Sequence, residues 1–253
     1  MSSRKTALLG VLILLTIGIV FQVATALDVF PTGAEGVTHG ASETFNGSQY
    51  NPVSTVAEAG NITSIAIDAI GPTRFWQGYY GEITGEIVLE DAVGNTMYNW
   101  SSTEPTGQIF ATRGNAISWA DVVCLADGGA VSIATEQEFY DMESYDMDNI
   151  NRTFVVEDHP TFYIGEDLMQ NCNSTWTFIN SLAQTSSFAE ILLEDETSGY
   201  AIYSTFIENR NDGNSTDPTG FDGATHDFQL MVPENGTANN ADVTQYYFYV
   251  NIQ

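Results

Sequence analysis

The chemistry that residue types and spacing first suggest is cation binding by carboxylates, which two stretches concentrate. The first stretch, residues 141–149, carries Asp141, Glu143, Asp146 and Asp148. The second, residues 208–227, carries Asp212, Asp217, Asp222 and Asp227. Calcium takes about six to eight oxygen ligands from flexible loops of this kind, although neither stretch has the register of an EF-hand loop. Calcium is therefore a candidate cofactor, and a solvated acidic surface loop is the alternative.

Motifs that would indicate catalysis are missing from the sequence. The histidines His39, His159 and His226 lie far apart and belong to no metal-ligand motif, and there is no nucleophile elbow, phosphate-binding glycine loop or dinucleotide fingerprint. Paired carboxylates can hydrolyse glycosides, and the 33 acidic residues supply many pairs. We predict a protein without catalytic activity and keep a carboxylate-based hydrolase as an alternative.

One short aromatic run forms a second candidate site, which consists of Phe75, Trp76, Tyr79 and Tyr80. Aromatic side chains combine a large apolar face with, in Tyr and Trp, a polar tip. The run is therefore a candidate platform for stacking against a glycan. The competing interpretation is a strand whose aromatic residues alternate between the core and the edge.

The two cysteines, Cys124 and Cys172, are predicted to form a disulfide, as a cysteine pair in an exported chain usually does. The bond would close a loop of roughly fifty residues and stabilise the fold by about 4 kcal/mol through the entropy of the unfolded chain. Two buried free thiols are the alternative. A metal site would need more ligands than two cysteines and three scattered histidines offer.

Sequons of the type Asn-x-Ser/Thr are frequent and favour a glycosylated surface protein. Six are candidate glycosylation sites: Asn46, Asn61, Asn151, Asn173, Asn214 and Asn235. A seventh, Asn99, lies inside a predicted strand and is the weakest candidate. The alternative is that Asn-rich turns beside Thr-rich strands create sequons freely.

The first 26 residues have the pattern of an export signal. Arg4 and Lys5 precede an uncharged stretch, residues 6–26, whose last three residues are the small-x-small pattern Ala-Thr-Ala, after which signal peptidase cuts. The stretch is also just long enough to span a bilayer, so a retained anchor is the alternative and would be the only membrane contact. Either way, we predict an extracellular or cell-surface location for the remaining chain.

The charge of the remaining chain excludes whole classes of partner. After residue 26, four arginines stand against 33 acidic residues, a formal charge of −29. Nucleic acid and anionic lipid surfaces both need basic patches, so we predict neither as a partner. The chain is nevertheless 43% hydrophobic and 12% aromatic, which is enough to fill a core. The acidic residues therefore coat a folded body.

Strand signals dominate that body. Residues 27–60 lack periodicity and are predicted to be a flexible arm or linker, whereas alternating runs begin with NITSIAIDAI at residues 61–70 and continue to residue 253. Short runs with frequent turns predict a mainly β, antiparallel sandwich-like fold. One window, residues 135–146, has a capping-box pattern and predicts a short helical insert near 135–148. The last run, residues 246–252, is apolar on both faces, as in a central strand or one that pairs with a neighbouring subunit.

The sequence contains nearly the same hairpin motif twice, as EIVLED at residues 86–91 and as EILLED at residues 190–195. Each copy is followed by a turn-like patch and a second apolar run that contains Tyr. In each copy the alternation points two apolar residues inward and leaves a mostly acidic outer face. These inward residues are Ile87 and Leu89 in the first copy, and Ile191 and Leu193 in the second. Two analogous core hairpins is the preferred interpretation, and duplication of halves at 61–134 and 150–253 is the alternative.

Several motifs together resemble a group of exported, β-rich archaeal proteins: RFWQGYYGEITGEIVLED, HPTFYIG, and DFQLMVPENG followed by YYFYV. The likeness spans most of the chain from about residue 61 to the end. It implies an archaeal envelope or extracellular setting, and it carries over no catalytic residue. The acidic composition, with no Lys after residue 26, fits a salt-tolerant archaeon.

These observations predict a structural or adhesive cell-surface protein, such as a subunit of a sheath, surface layer or filament. Its partners would be copies of itself or other envelope proteins. The arm at residues 27–60 or the last strand would supply a β-strand to a neighbour. The alternative is a monomeric extracellular module that binds a glycan or calcium.

Overall fold

A computed structural model describes residues 30–47, 51–102, 105–126, 129–181, 183–208, 218–235 and 243–253. Among these residues the protein is mainly antiparallel β with two short helices, which confirms the predicted fold class. The strands are β1 (Thr32–Gly33), β2 (Trp76–Gly81), β3 (Gly85–Glu90), β4 (Thr96–Ser102), β5 (Gly107–Thr112), β6 (Val122–Cys124), β7 (Phe162–Ile164), β8 (Asp167–Met169), β9 (Ser174–Ile179), β10 (Ala183–Asp195), β11 (Tyr200–Ile207), β12 (Phe228–Pro233) and β13 (Tyr247–Ile252). The helices are α1 (Ile133–Phe139) and α2 (Ile150–Thr153). None of the helices described is long and apolar enough to cross a membrane.

A seven-stranded antiparallel sheet forms the centre of the fold. Its strands lie in the order β1, β13, β5, β11 and β10, and the far edge of the long strand β10 pairs first with β9 and then with β6. The last strand of the chain, β13, lies between β1 and β5. This position confirms that the carboxy-terminal run is an inner strand of the sheet.

Both faces of the large sheet are covered by other elements. On one face Leu192 and Tyr203 belong to a core cluster that also contains Leu230 of the small β2–β12 sheet and residues of both helices. On the other face Ile191 packs in a second cluster with Ile164 of the β7–β8 hairpin. The result is a sandwich-like arrangement in which the large sheet is the middle layer.

The prediction that the acidic residues of β10 form an exposed outer face is wrong. Ile191 and Leu193 are fully buried as predicted, but Glu190, Glu194 and Asp195 are buried as well. The reason is that both faces of β10 are covered, so its carboxylates must find hydrogen-bond donors inside the protein. Each accepts a backbone N–H from a neighbouring segment: Met231 for Glu190 at 2.8 Å, Val131 for Glu194 at 2.8 Å and Ser118 for Asp195 at 2.9 Å.

The first copy of the hairpin lies outside the large sheet. Strands β3 and β4 pair with each other as a separate two-stranded sheet. Ile87 and Leu89 are 41% and 50% exposed, so the prediction that they point into a core is wrong. The hairpin meets the body at its base, where the Gly85 backbone lies so close to Ile252 that a Cβ would have no room.

The arm predicted at residues 27–60 is anchored where its described part begins. Pro31 is buried, and Phe30 packs against the second core cluster beside Gly165. Strand β1 then pairs with β13. The first described residues of the arm are therefore attached to the body, and only the residues after them extend away from this anchor.

Beyond this anchor the chain is exposed and forms no strand over residues 35–47 and 51–74. The strand predicted at residues 61–70 is wrong for this structure, because these residues pair with none of the described strands. Their composition is that of a strand, and what they lack is a neighbour. Phe75, which is buried, marks the point where the chain enters the body.

The predicted helical insert is real but begins earlier and ends sooner. The Ser132 hydroxyl accepts the Thr135 N–H at 3.1 Å while the Thr135 hydroxyl accepts the Ser132 N–H at 2.9 Å, a capping box that starts α1 at Ile133. The helix ends at Phe139, shortly before Asp141 adopts a left-handed φ of 55° that no α-helix can continue. The second helix, α2, was not predicted and is capped by the Asn149 side chain.

Candidate functional site

The carboxylates of the first predicted calcium loop are engaged by donors of the protein itself. Two of them accept hydrogen bonds from distant segments, Asp141 from the Asn235 amide at 3.1 Å and Asp148 from the Thr73 hydroxyl at 2.6 Å, and Asp146 accepts the Glu143 N–H of the loop itself at 2.8 Å. These contacts tie the loop to the Thr73 and Asn235 segments.

The second predicted calcium loop is described only in part. Asp212 and Asp217 lie outside the described residues. The Asp222 carboxylate accepts the Ala224 N–H at 2.9 Å and lies 3.0 Å from the His226 ring, and these contacts, the backbone one first, lower its pKa. Over the ranges that the structure describes, no three His, Cys, Asp or Glu side chains come together as a metal site. Calcium binding stays a prediction for both loops.

The predicted aromatic platform is divided between core and surface. Phe75 is buried in the first core cluster. Trp76 is half-buried and donates its indole N–H to the Asp148 carbonyl at 2.6 Å, and Tyr79 packs edge-on against Phe248 with ring centroids 5.5 Å apart. This leaves Tyr80, at 49% exposure, as the member of the run that presents a ring to solvent.

Tyr80 belongs instead to an aromatic cluster that the sequence analysis missed. Its ring centroid lies 4.9 Å from Phe221 and 4.7 Å from His226. Phe221 is also exposed, whereas His226 is buried and contacts Asp222. The missed partners follow in sequence about 140 positions after Tyr80, and the pairing of β2 with β12 brings them together.

The predicted disulfide between Cys124 and Cys172 is present, with Cα atoms 5.0 Å apart. It ties the end of β6 to the chain that leads into β9, so both strands on the far edge of β10 are linked covalently. Such bonds persist in oxidising compartments and are rare in the cytosol. The disulfide is therefore consistent with a protein that works outside the cytosol.

The sequons differ in accessibility. Asn46, Asn61, Asn99 and Asn151 are exposed, while Asn173 and Asn235 are half-buried. Asn214 lies outside the described residues. Glycosylation stays a prediction, and exposure favours Asn46, Asn61 and Asn151 among the six candidates.

A buried polar network joins α1 to the large sheet. The Arg113 guanidinium donates to the Glu136 carboxylate at 2.6 Å, and the Tyr203 hydroxyl donates to the other oxygen of Glu136 at 3.3 Å. The Tyr140 and Tyr246 hydroxyls share a 2.6 Å hydrogen bond nearby. Every member of this set has a protein partner, which indicates a structural role in orienting α1.

Glu190 is the strongest chemical anomaly among the carboxyls. It is fully buried, and burial raises its pKa well above the usual range, more than the Met231 N–H lowers it. Its Oε2 accepts that N–H, while its Oε1 has no hydrogen-bond partner among the described residues. A catalytic acid needs access to substrate, and Glu190 lies beneath β12 in the core. The hydrolase alternative therefore gains no support from this residue.

The most unusual surface is one face of the β3–β4 hairpin. Ile87 lies opposite Trp100 and Leu89 lies opposite Tyr98, so the four side chains share a face. They are 41%, 52%, 50% and 57% exposed in that order, and the Tyr98 and Trp100 rings are in tilted contact with centroids 4.7 Å apart. On the opposite face the Asn99 amide donates to the Glu86 carboxylate at 2.6 Å. The hairpin is amphipathic and lacks a cover on its apolar face among the residues described.

A second apolar surface lies just before it in sequence. Ile62, Ile65, Ile67 and Ile70 are 103%, 60%, 78% and 68% exposed. The chain around them has no assigned secondary structure, and residues 62–72 make no backbone hydrogen bond to the rest of the described structure. We call residues 61–70 the donor segment. Sequence reasoning found its strand pattern but had no signal for its exposure, because the exposure depends on which strands pair elsewhere.

Comparisons of this chain with protein-family models, with curated proteins and with solved structures find no match. The resemblance to exported archaeal proteins therefore stays a prediction. The function has to be argued from the residues and surfaces of this chain.

Proposed function

We propose that this chain is a structural subunit of an extracellular or cell-surface assembly whose copies join by β-strand addition. One observation carries the proposal: the donor segment has the alternation and the β-branched composition of a strand, yet it is exposed and pairs with none of the described strands. Unpaired strands with apolar side chains pair with the edge of another sheet. A protein that works as a monomer would gain stability by covering these four isoleucines.

The charge distribution supports contact at the donor segment. The whole chain carries a formal charge of −27, so copies repel one another over most of their surface. The donor segment contains a single charged residue, Asp68, and has many apolar ones. Two copies can therefore meet there with little added repulsion, and salt would favour the contact by screening the remaining charge.

The native mass of the protein tests this proposal. Protein extracted from the envelope of its own host without denaturant should sediment as assemblies much larger than 27.6 kDa. The same measurement after EDTA treatment shows whether calcium is needed, since removal of a structural cation would release subunits. Native protein that sediments as a monomer at physiological salt, before EDTA is added, would contradict the proposal.

A glycan-binding module is the second candidate, and the exposed Tyr80 and Phe221 rings favour it. Their planes meet at 69°, so a sugar would stack on one ring and touch the edge of the other. We expect the double variant Tyr80→Ala, Phe221→Ala to lose binding to a panel of soluble oligosaccharides. Tyr163→Ala, which removes another exposed ring, is the control. Equal binding by all three proteins would argue against this candidate.

A further inference from the structure

We infer that the acceptor for the donor segment is the β3–β4 hairpin of a second copy of this chain, an inference that rests on the proposed function. Both surfaces are apolar, exposed and without a strand partner beyond the hairpin itself in the described structure. Both also occur on every copy. Head-to-tail pairing between copies would therefore repeat without a second kind of subunit.

The hairpin has a physical need for a third strand. A two-stranded sheet alone in water is marginally stable, and about three strands with a hydrophobic face are needed for independent stability. Strands β3 and β4 form such a two-stranded sheet, joined to the body near Gly85. Strand β3 begins beside the Ile252 side chain and approaches β13, whereas β4 pairs with no described strand other than β3. We therefore place the added strand along β4.

The side-chain alternation of the donor segment fits this position. In an extended chain Thr63, Ile65, Ile67 and Ala69 share one face, while Ser64, Ala66 and Asp68 lie on the other together with the two end residues Ile62 and Ile70. The first set continues the apolar face formed by Ile87, Leu89, Tyr98 and Trp100. The second set continues the face that carries Glu86 and Asn99. A three-stranded amphipathic sheet results.

The shared apolar face supplies part of the area that a stable contact requires. Ile65, Ile67 and the four hairpin side chains have exposed fractions equal to roughly three and a half complete large side chains. At about 150 Å² each, this is on the order of 500 Å². Specific interfaces bury roughly 1,200–2,000 Å² in total. The paired backbones and the side chains at the ends of the added strand therefore have to supply the rest.

Among the residues that the structure describes, no segment of the same chain adds a third strand to its own hairpin. Phe75 is buried and fixes the point where the donor segment leaves the body, and Gly85 fixes the base of the hairpin. Between them β2 is paired with β12. Each surface thus projects from a separately anchored point, which leaves the hairpin of one copy open to the donor segment of the next.

Complementation between two variants tests the inference. The donor variant Ile65→Lys, Ile67→Lys and the acceptor variant Tyr98→Lys, Trp100→Lys alter exposed side chains, so each should fold. Val53→Lys, Val56→Lys is the matched control, since these valines are 98% and 86% exposed and lie outside both surfaces. All three changes lower the net negative charge, so none adds repulsion between copies. Full-length chains are exported by an expression host into an oxidising compartment, and their masses are measured by sedimentation.

We expect the wild type and the control to assemble and each surface variant alone to remain monomeric, with assembly reduced at least tenfold. An equimolar mixture of the two surface variants should form a 1:1 dimer that grows no further, because one intact donor meets one intact acceptor. If the donor variant fails to assemble while the acceptor variant assembles like the wild type, the hairpin is not the acceptor and the proposed function stands. If the wild type is monomeric, the proposed function itself fails.

Discussion

The β3–β4 and β10–β11 hairpins contain nearly the same six residues, but the first lies at the surface and the second lies inside the protein. EIVLED forms one edge of a two-stranded sheet at the surface, and EILLED runs through the middle of the protein. At matched positions Leu89 is half-exposed and Leu193 is fully buried. The comparison teaches that a short strand sequence sets the local conformation but leaves the burial to the strands that pair with it.

The local chemistry of the two copies is indeed shared. Asp91 and Asp195 each accept, through Oδ1, the N–H of the residue two positions later at 3.0 Å. Each turn also contains a glycine with left-handed φ, +85° at Gly94 and +70° at Gly199. Aspartate followed by a glycine-containing turn is a common hairpin signal. The repeated sequence therefore encodes the same kind of turn twice.

The long-range surroundings make the difference. Strand β10 pairs with β11 on one side and with β9 and β6 on the other, while β3 pairs with β4. The disulfide between Cys124 and Cys172 adds a covalent tie beside β10.

Removal of the disulfide should have the largest effect on the β10 environment. The double variant Cys124→Ala, Cys172→Ala frees a loop of 48 residues and should lower the free energy of unfolding by about 4 kcal/mol, chiefly because the unfolded chain gains entropy. Urea denaturation followed by tryptophan fluorescence measures the change. A loss below about 1 kcal/mol would show that the pairing of β6 with β10 does not depend on this bond.

Truncation of the matched leucines should separate the two copies most directly. Leu193→Ala removes a fully buried side chain and should cost about 3 kcal/mol through lost burial and the cavity left behind. Leu89→Ala should change the stability of the monomer by less than about 0.5 kcal/mol, because its side chain is half-exposed. Urea midpoints of the two variants, measured below the concentration at which copies assemble, decide the matter. Similar losses for both would mean that the hairpin is covered in solution.

The matched glutamates should differ for a reason of hydrogen bonding. Glu194 is buried and accepts the Val131 N–H at 2.8 Å, so Glu194→Ala strands a buried donor and should cost about 2 kcal/mol. Glu90 is exposed, and Glu90→Ala should have an effect close to zero. Amide hydrogen exchange should show Val131 losing protection in the first variant and keeping it in the second. Unchanged protection at Val131 in Glu194→Ala would contradict this role.

The fold class was predictable because short alternating runs with frequent turns have few other solutions. The disulfide was predictable because the chain has two cysteines in all. The burial of EILLED was harder to predict, because the sequence feature that indicates it lies in the next strand and not in EILLED itself. Strand β11, YAIYSTFI, has large apolar residues on both faces, as strands covered on both sides do, whereas β4, TMYNWSS, alternates with polar residues. The cluster of Tyr80 with Phe221 had no local signal, because it depends on strands paired across the whole chain.

The smallest effect we expect is a change in pH dependence, and it again distinguishes the two copies. Burial raises the pKa of Glu190 well above its usual range, so the folded protein holds a proton that the unfolded chain releases above about pH 4.5. Because the folded state then binds more protons than the unfolded state, this residue makes stability fall as pH rises from the unfolded pKa toward the folded one.

Glu190→Gln places a neutral amide in the same space and keeps an acceptor for the Met231 N–H. Relative to the wild type, the variant should lose this downward slope and be the more stable protein at pH 7. Glu86→Gln, at the matched exposed position of the first copy, should leave the slope unchanged. Urea midpoints between pH 4 and pH 8 for the three proteins measure both slopes. A steeper fall with rising pH in Glu190→Gln than in the wild type would contradict this prediction. It would mean that the buried Glu190 carboxyl is ionised in the folded protein, with a hydrogen-bond donor for its Oε1.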